Sequence, residues 1–206
     1  EFVSERIIDI TDDSQSEIVE ISEIVVNAKK DFSEENAFIP TGIRSLDNII
    51  NGLRKKRFII IAARPSVGKT ALALTMLKNI GFDGNEPCLF YSDEMPASEL
   101  LGRLISQVTE IDNRYIENGT ANNDNRVNDF YKEYLEKKIF IDDKNGYDLA
   151  SIKRTLRKYI RRHNIKVCFI DYLQLVKSGE KPIREQMIDV SGAMKKLAKE
   201  YNIPIV

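Results

Sequence analysis

From residue 58 onward, short runs that are apolar at nearly every position alternate with longer stretches in which apolar residues recur every three or four positions. The runs at 58–62, 88–92, 139–142 and 167–171 predict strands buried on both faces, because a strand wetted on one side would alternate apolar with polar. The stretches at 68–80, 97–109, 148–163 and about 185–201 carry the helical period. Residues 203–206 begin one more apolar run, and the polar, Asn-rich stretch 117–128 reads as a loop between helices. Strand and helix taking turns in this way predict an α/β fold, with a mainly parallel sheet flanked by helices on both faces.

Upstream, residues 15–30 set Ile18, Ile21, Ile24, Val25 and Ala28 on one helical face with acids between them. This amphipathic helix has no core of its own and is expected to pack on another domain or subunit. The sequence Ile39-Pro40-Thr41-Gly42 then breaks the pattern, since proline disfavours helix at Ile39 and glycine permits a turn. The expected organisation is an acidic linker segment at 1–39 and a principal domain at 40–206 that stops inside an element, as a fragment of a longer protein would.

A chain of 206 residues, 42% of them hydrophobic, can bury one good core. Its formal net charge of −1 conceals an asymmetry: residues 1–40 hold eleven acids against three bases, and the rest holds twenty-one acids and twenty-eight bases. A mildly basic body gives modest support to a polyanionic partner. Cys88 and Cys168 lie inside strand runs, with no CxxC or Cys/His cluster for zinc, which fits a reducing, cytoplasmic setting. The single histidine, His163, ends a basic helical stretch and reads as solvated. No apolar run of about 18 residues predicts a membrane span, and the charged first ten residues do not resemble a secretory signal.

Candidate chemistry begins at Ala63-Arg64-Pro65-Ser66-Val67-Gly68-Lys69-Thr70, between a strand run and a helix run. In that context the octet is a phosphate-binding loop. Ala63 occupies the first glycine position, which requires its φ to stay negative, while Gly68 stands where the backbone must approach phosphate. The N–H groups of residues 66–70 and the helix N-terminus concentrate positive potential, enough to hold a triphosphate. Lys69 would reach the β and γ phosphates and the Thr70 hydroxyl would bind Mg²⁺. A second motif, Val167-Cys168-Phe169-Ile170-Asp171, ends a strand in an acid at the carboxyl edge, where ligands of open parallel sheets gather. Asp171 would hold the Mg²⁺ directly or through water; taken alone, such an aspartate is equally a turn former or cap. In the third, Phe90-Tyr91-Ser92-Asp93-Glu94-Met95-Pro96, a strand ends in two adjacent acids. Glu94 is the candidate general base, a carboxylate about one water from the γ phosphate. The alternative is that Asp93, Glu94 or Ser98 caps the next helix, and which acid points inward stays open.

With these motifs in this order, and with Pro40-Thr41-Gly42, Glu94-Met95-Pro96 and Asp171-Tyr172-Leu173-Gln174-Leu175, residues from about 41 to 206 resemble the C-terminal motor domain of DnaB-type replicative DNA helicases. Generic RecA-like proteins share only the bare nucleotide motifs. The resemblance implies a RecA-like P-loop NTPase core preceded by an amphipathic linker helix. It also implies a homo-oligomer forming a hexameric ring, ATP and Mg²⁺ between neighbouring subunits and single-stranded DNA through the centre. Primase and a helicase loader would be partners, in the cytoplasm of a bacterial cell or phage-infected host. Lys69 and Glu94 become the catalytic residues, Ala63 to Thr70 the nucleotide-binding loop, and Thr70 and Asp171 the metal ligands. Lys177, Lys181 and Arg184, in a glycine-containing stretch after Asp171, become DNA-phosphate contacts, with an ordinary solvated turn as the other reading. The basic run Lys153, Arg154, Arg157, Lys158, Arg161 and Arg162 reads as a solvated helix face.

Asp93 departs from the family pattern, which more often has an uncharged residue there, and it adds like-charge repulsion beside Glu94. The family's sensor glutamine and arginine finger would lie past Val206, so this stretch alone is expected to bind ATP without turning it over. Two alternatives stand beside the helicase motor: a recombinase-type or clock-type RecA ATPase, and a nucleotide-gated assembly module without motor activity.

Overall fold

The domain begins with a short antiparallel pairing that the apolar pattern does not predict. In the computed structural model, which describes residues 20–22, 25, 29, 38–144, 146–171, 176 and 182–206, β1 (Phe38–Ile39) pairs with β2 (Leu53–Arg54) around helix α1 (Arg44–Ile50). The Thr41 amide and hydroxyl both donate to Asp47 Oδ1, at 2.9 and 2.7 Å, and the Gly42 amide donates to Oδ2 at 3.1 Å. Gly52, at φ 90°, brings the return strand so close that a Cβ there would sit 2.6 Å from the Ile39 carbonyl oxygen. Two-residue strands are too short to show a period, so only their partners reveal them.

The chain divides into two compact units, Glu1–Ala37 and Phe38–Val206. The break falls two residues before the expected one at 39/40, because Phe38 and Ile39 are tied to Arg54 and Leu53. In the first unit Ile21 and Val25 are helical and exposed, while Ile18, Ile24 and Ala28 lie outside the described residues.

Helix α2 (Lys69–Leu77) follows the octet at 63–70 and widens into a π-helical turn at Lys78–Asp83, where a single helix over 68–80 was expected. The wide turn lays Gly81 against the sheet. Next come β3 (Cys88–Ser92), α3 (Ala97–Thr109), α4 (Asn113–Glu117), α5 (Asn125–Tyr134), β4 (Ile139–Asp142), α6 (Leu149–His163), β5 (Val167–Asp171) and α7 (Ile183–Tyr201). Two of these correct the sequence reading. The expected loop at 117–128 gives way to α5 at Asn125: Asp124 caps it by accepting from the Arg126 amide at 2.9 Å, and the helix buries Val127 and Phe130, the latter stacked 5.4 Å from Phe82. The last helix starts at Ile183, two residues early, directly after Pro182, whose fixed φ suits a helix entry.

The three strands form a parallel sheet ordered β4-β3-β5. The run at 58–62 is not a full strand. Phe58 forms an isolated parallel bridge with Ile205, with the Ile59 amide donating to the Ile205 carbonyl at 2.8 Å and the Ile205 amide to Arg57 at 3.0 Å. Ile205 also bridges Cys168, so the run at 203–206 inserts between β5 and the segment leading to the phosphate loop. Only the start of the 58–62 run finds a ladder there, which is why it stays extended without regular pairing.

Every residue of β3 is buried, Cys88 and Phe90 in one apolar cluster and Leu89 and Tyr91 in the other, one on each side of the sheet. Burial on both faces is the physical source of the unbroken apolar run. His163 is half-buried, its ring 4.3 Å from that of Phe140 and 5.5 Å from that of Tyr159, so the solvated reading gives way to a packed one.

Candidate functional site

The octet at 63–70 carries the chain from extended backbone into α2. Ser66 and Gly68 adopt positive φ, 61° and 107°, and Ala63 is not among the positive-φ residues, which meets the condition its alanine imposes. A serine in the left-handed region stores of the order of 1–2 kcal/mol, the kind of cost that persists where the loop's shape is needed. Gly68 is the N-cap of α2 without a side-chain cap, and its carbonyl takes the Leu72 amide at 2.9 Å. The amides of Lys69, Thr70 and Ala71 therefore open the helix without intrahelical partners, at the positive end of its dipole. Residues 62–68 are exposed, and Lys69 and Thr70 are half-buried.

Across from the loop, β5 ends in the buried Asp171. The Thr70 hydroxyl donates to Asp171 Oδ2 at 2.6 Å, joining two motifs 101 residues apart. Ser92 lies opposite Asp171 in the register, and the Asp93 amide donates to the Asp171 carbonyl at 3.1 Å, so the two strand ends stay together one step past the sheet. A hydroxyl and a carboxylate are the hard oxygen donors Mg²⁺ takes, and Mg²⁺ is usually held by one or two such groups plus substrate phosphate. Among the described residues there is no group of three His, Cys, Asp or Glu that could hold a metal ion. Behind the loop a cavity of about 170 Å³ is lined by Ile59, Ile61, Lys69, Phe169, Asp171 and Met187, among others.

The two adjacent acids separate clearly. Asp93 Oδ1 accepts from the Gly146 amide at 2.7 Å, clamping the loop after β4 to the end of β3. Glu94 is exposed and has no side-chain hydrogen bond or ion pair with a described residue. Neither acid caps α3, and nor does Ser98: the N-cap is Pro96, and the Ala97 amide donates instead to Asp143 Oδ2 at 2.8 Å. Asp143 and Gly146 were missed by the sequence reading, although an acid pair followed by glycine after a strand is a recognisable turn signal.

The Pro40-Thr41-Gly42 phrase is tied to the π-helical turn that follows α2: Asn79 Nδ2 donates to the Thr41 carbonyl at 3.0 Å, and Thr41 is buried. Of the three candidate DNA-contacting residues, Arg184 is exposed in the first turn of α7, and Lys177 and Lys181 lie outside the described residues. Both cysteines are free and buried; burial pushes the Cys88 thiol up to about 12, with Glu86 adding to it, and raises Cys168 further. Among the described residues no helix is long and apolar enough to cross a membrane.

Residues 38–206 match the family model described as DnaB-like helicase C terminal domain. The chain is 36% identical over 200 residues to a probable plasmid replicative DNA helicase of Chlamydia trachomatis, covering 94% of this chain and 44% of that protein. It is 33% identical over 199 residues to the replicative DNA helicase DnaB of Leifsonia xyli subsp. xyli, covering 91% and 42%. The chain thus spans less than half the length of these relatives. Among solved structures, the ATPase domain of G40P superposes with a TM-score of 0.77 at 28% identity, covering 90% of this chain and 69% of that one. A DnaB-like replicative helicase, described together with its interactions with primase, gives 0.75 at 27% identity, covering 98% and 51%.

Proposed function

This chain belongs to the DnaB-like helicase C-terminal domain family, and from that premise we propose that it is the ATP-binding part of a replicative DNA helicase motor, using ATP hydrolysis to move on single-stranded DNA and unwind duplex. The observation that carries the proposal is the 2.6 Å contact between Thr70 and Asp171, because it brings the phosphate loop and the acidic strand end to one point. The loop at 63–70 holds the triphosphate of ATP by its open amides. Lys69 places its ammonium against the β and γ phosphates, while Thr70 and Asp171 supply oxygens to Mg²⁺. Bound there, the ion would supply positive charge that offsets the negative charge of the phosphates. Glu94 receives the proton of the attacking water as its oxygen bonds to the γ phosphorus and the bond to ADP breaks. Supporting Glu94 over Asp93 is the engagement of Asp93 with Gly146, which leaves Glu94 the acid without a partner among the described residues.

The same reading makes the chain part of a homo-oligomer, a hexameric ring with nucleotide between subunits, working in the cytoplasm with a primase and a loader. Residues 1–37 act as the acidic linker to the motor domain, and Lys177, Lys181 and Arg184 touch DNA phosphates. The test is ATP hydrolysis by the natural-length protein with and without single-stranded DNA, beside Lys69→Ala and Glu94→Ala variants. DNA-stimulated turnover that each substitution abolishes is the expected result. Tight ATP binding with no DNA-dependent turnover would sink the motor reading and leave a nucleotide-gated assembly module.

A further inference from the structure

Helix α6 contains no acid. Over Leu149–His163 it carries Lys153, Arg154, Arg157, Lys158, Arg161 and Arg162, all exposed, which with Ala150 line one open groove of about 580 Å³. Its other side buries Ile152 and Leu156 in the apolar cluster on that side of the sheet. The cations fall in three adjacent pairs, each pair four residues from the next, so at 1.5 Å rise per residue they form rungs about 6 Å apart.

Such a helix works against itself. Lys153 with Arg157, Arg154 with Lys158, Arg157 with Arg161 and Lys158 with Arg162 are all like-charge neighbours at i, i+4, and each is unfavourable. Other surface helices of this domain interleave opposite charges: Arg103 meets Glu99 at 2.9 Å on α3, and Lys132 meets Asp129 at 3.1 Å on α5. The helix dipole accounts for Arg161 and Arg162 in the last turn but not for Lys153, Arg154, Arg157 and Lys158, which lie between the two end turns. One acid reaches the face from the neighbouring helix, Glu200 of α7, 3.6 Å from Arg157, whose Nε also donates to the Tyr201 hydroxyl at 2.9 Å. The other five cations have no acidic partner among the described residues. A face that retains uncompensated repulsion is suited to a polyanion from outside.

We infer that the α6 face is a second nucleic-acid contact, which tracks the sugar–phosphate backbone of a DNA strand and is separate from the nucleotide site. The three rungs present donors in steps that successive phosphates can follow, and the four arginines among them offer bidentate grips. Among the described residues none that lines the groove is aromatic, and Tyr159 is turned edge-on against Phe140, 5.1 Å away, so the contact reads charge and not base sequence. An acidic protein segment is the competing polyanion. Among the described residues the groove's one uncharged lining residue is Ala150, which gives a peptide no apolar anchor and favours phosphate. The inference rests on the proposed function in taking the polyanion to be DNA, and it leaves the ATP site untouched.

The experiment uses the natural-length protein and a variant carrying Lys153→Gln, Arg154→Gln, Lys158→Gln and Arg161→Gln, with Arg157 and its Glu200 and Tyr201 contacts retained. Glutamine matches lysine and arginine in helix propensity, and four like-charge pairs disappear, so the melting temperature should hold or rise. Anisotropy of a labelled oligothymidylate is read across a salt series, with Mg²⁺-ATP binding as the control and polyglutamate as a competing probe. The expected result is a loss of DNA affinity of about tenfold or more at low salt, a salt slope flatter by about 2–3 at about 0.7 per lost phosphate contact, and unchanged ATP binding. Equal affinity and slope in both proteins would overturn the inference while leaving the proposed function standing. Polyglutamate binding that depends on these four residues while DNA binding does not would assign the face to an acidic protein instead. A parent protein that binds ATP but no DNA strand would remove both the inference and the motor reading.

Discussion

Replacing Asp171 by asparagine separates the structural role from the proposed metal-binding role of the most informative contact in the site. The Thr70 hydroxyl donates to a buried carboxylate at 2.6 Å. A hydrogen bond to a charged acceptor contributes about 1.5–3 kcal/mol and a neutral one about 0.5–1.5 kcal/mol. Asparagine keeps the shape and an acceptor oxygen, and the main-chain bond from Asp93 to residue 171 is unaffected. The domain should therefore lose only about 1 kcal/mol, a fall of about 2–4 °C in melting temperature for a domain of this size. Nucleotide binding should respond in a metal-dependent way. In EDTA, a fluorescent ATP analogue should bind the variant as well as the parent or slightly better, since a negative charge near the triphosphate has gone. With Mg²⁺ present the affinity should fall about 10–100-fold, the loss typical when a group that holds or orients a metal's ligands is removed. The same fractional loss in EDTA and in Mg²⁺ would refute the metal role, and a lowered melting temperature with intact Mg²⁺-ATP affinity would reduce Asp171 to a packing partner of Thr70.

Two further outcomes follow from the packing. Gly81→Ala should cost about 1–3 kcal/mol by overpacking, because its Cβ would meet Ile139 Cγ1 at 2.8 Å and Cδ1 at 2.9 Å; adding Ile139→Val should recover part of that loss in chemical denaturation, and strictly additive costs would contradict the clash. The two thiols should resist a disulfide reagent at pH 8 in the native protein and react fully in denaturant, since the Cys88 thiol is pushed up to about 12 by burial and Cys168 is raised as well. The sign follows from the raised folded value: the contribution is complete below about pH 8.5, where the unfolded thiol begins to ionise, and it is lost as pH climbs toward about 12. Rapid stoichiometric labelling of the native protein would show that these strands open far more readily than their burial implies.

Local chemistry made much of this domain legible. The double-sided burial of β3 and β5 is written in continuous apolar runs, the extents of α3 and β4 follow from periodicity, and the loop at 63–70 declares itself by glycine, lysine and threonine in a strand-to-helix context. These features survive because each depends on residues within a few positions of one another, where period and backbone preference act directly. Where the sequence left alternatives, nonlocal partners separated them. Asp93 and Glu94 are equivalent on paper; a backbone amide 53 residues away engages one of them and leaves the other exposed. The hairpin at Phe38–Ile39 exists only through Leu53–Arg54, the wide turn at Gly81 only against Ile139, and the packed ring of His163 only beside Phe140. The sequence by itself determined which chemical groups this protein carries at its proposed phosphate site. Tertiary structure decided which of them meet, because a contact such as Thr70 with Asp171 spans 101 residues of chain, and a separation of that length leaves no periodic trace in the residues on either side.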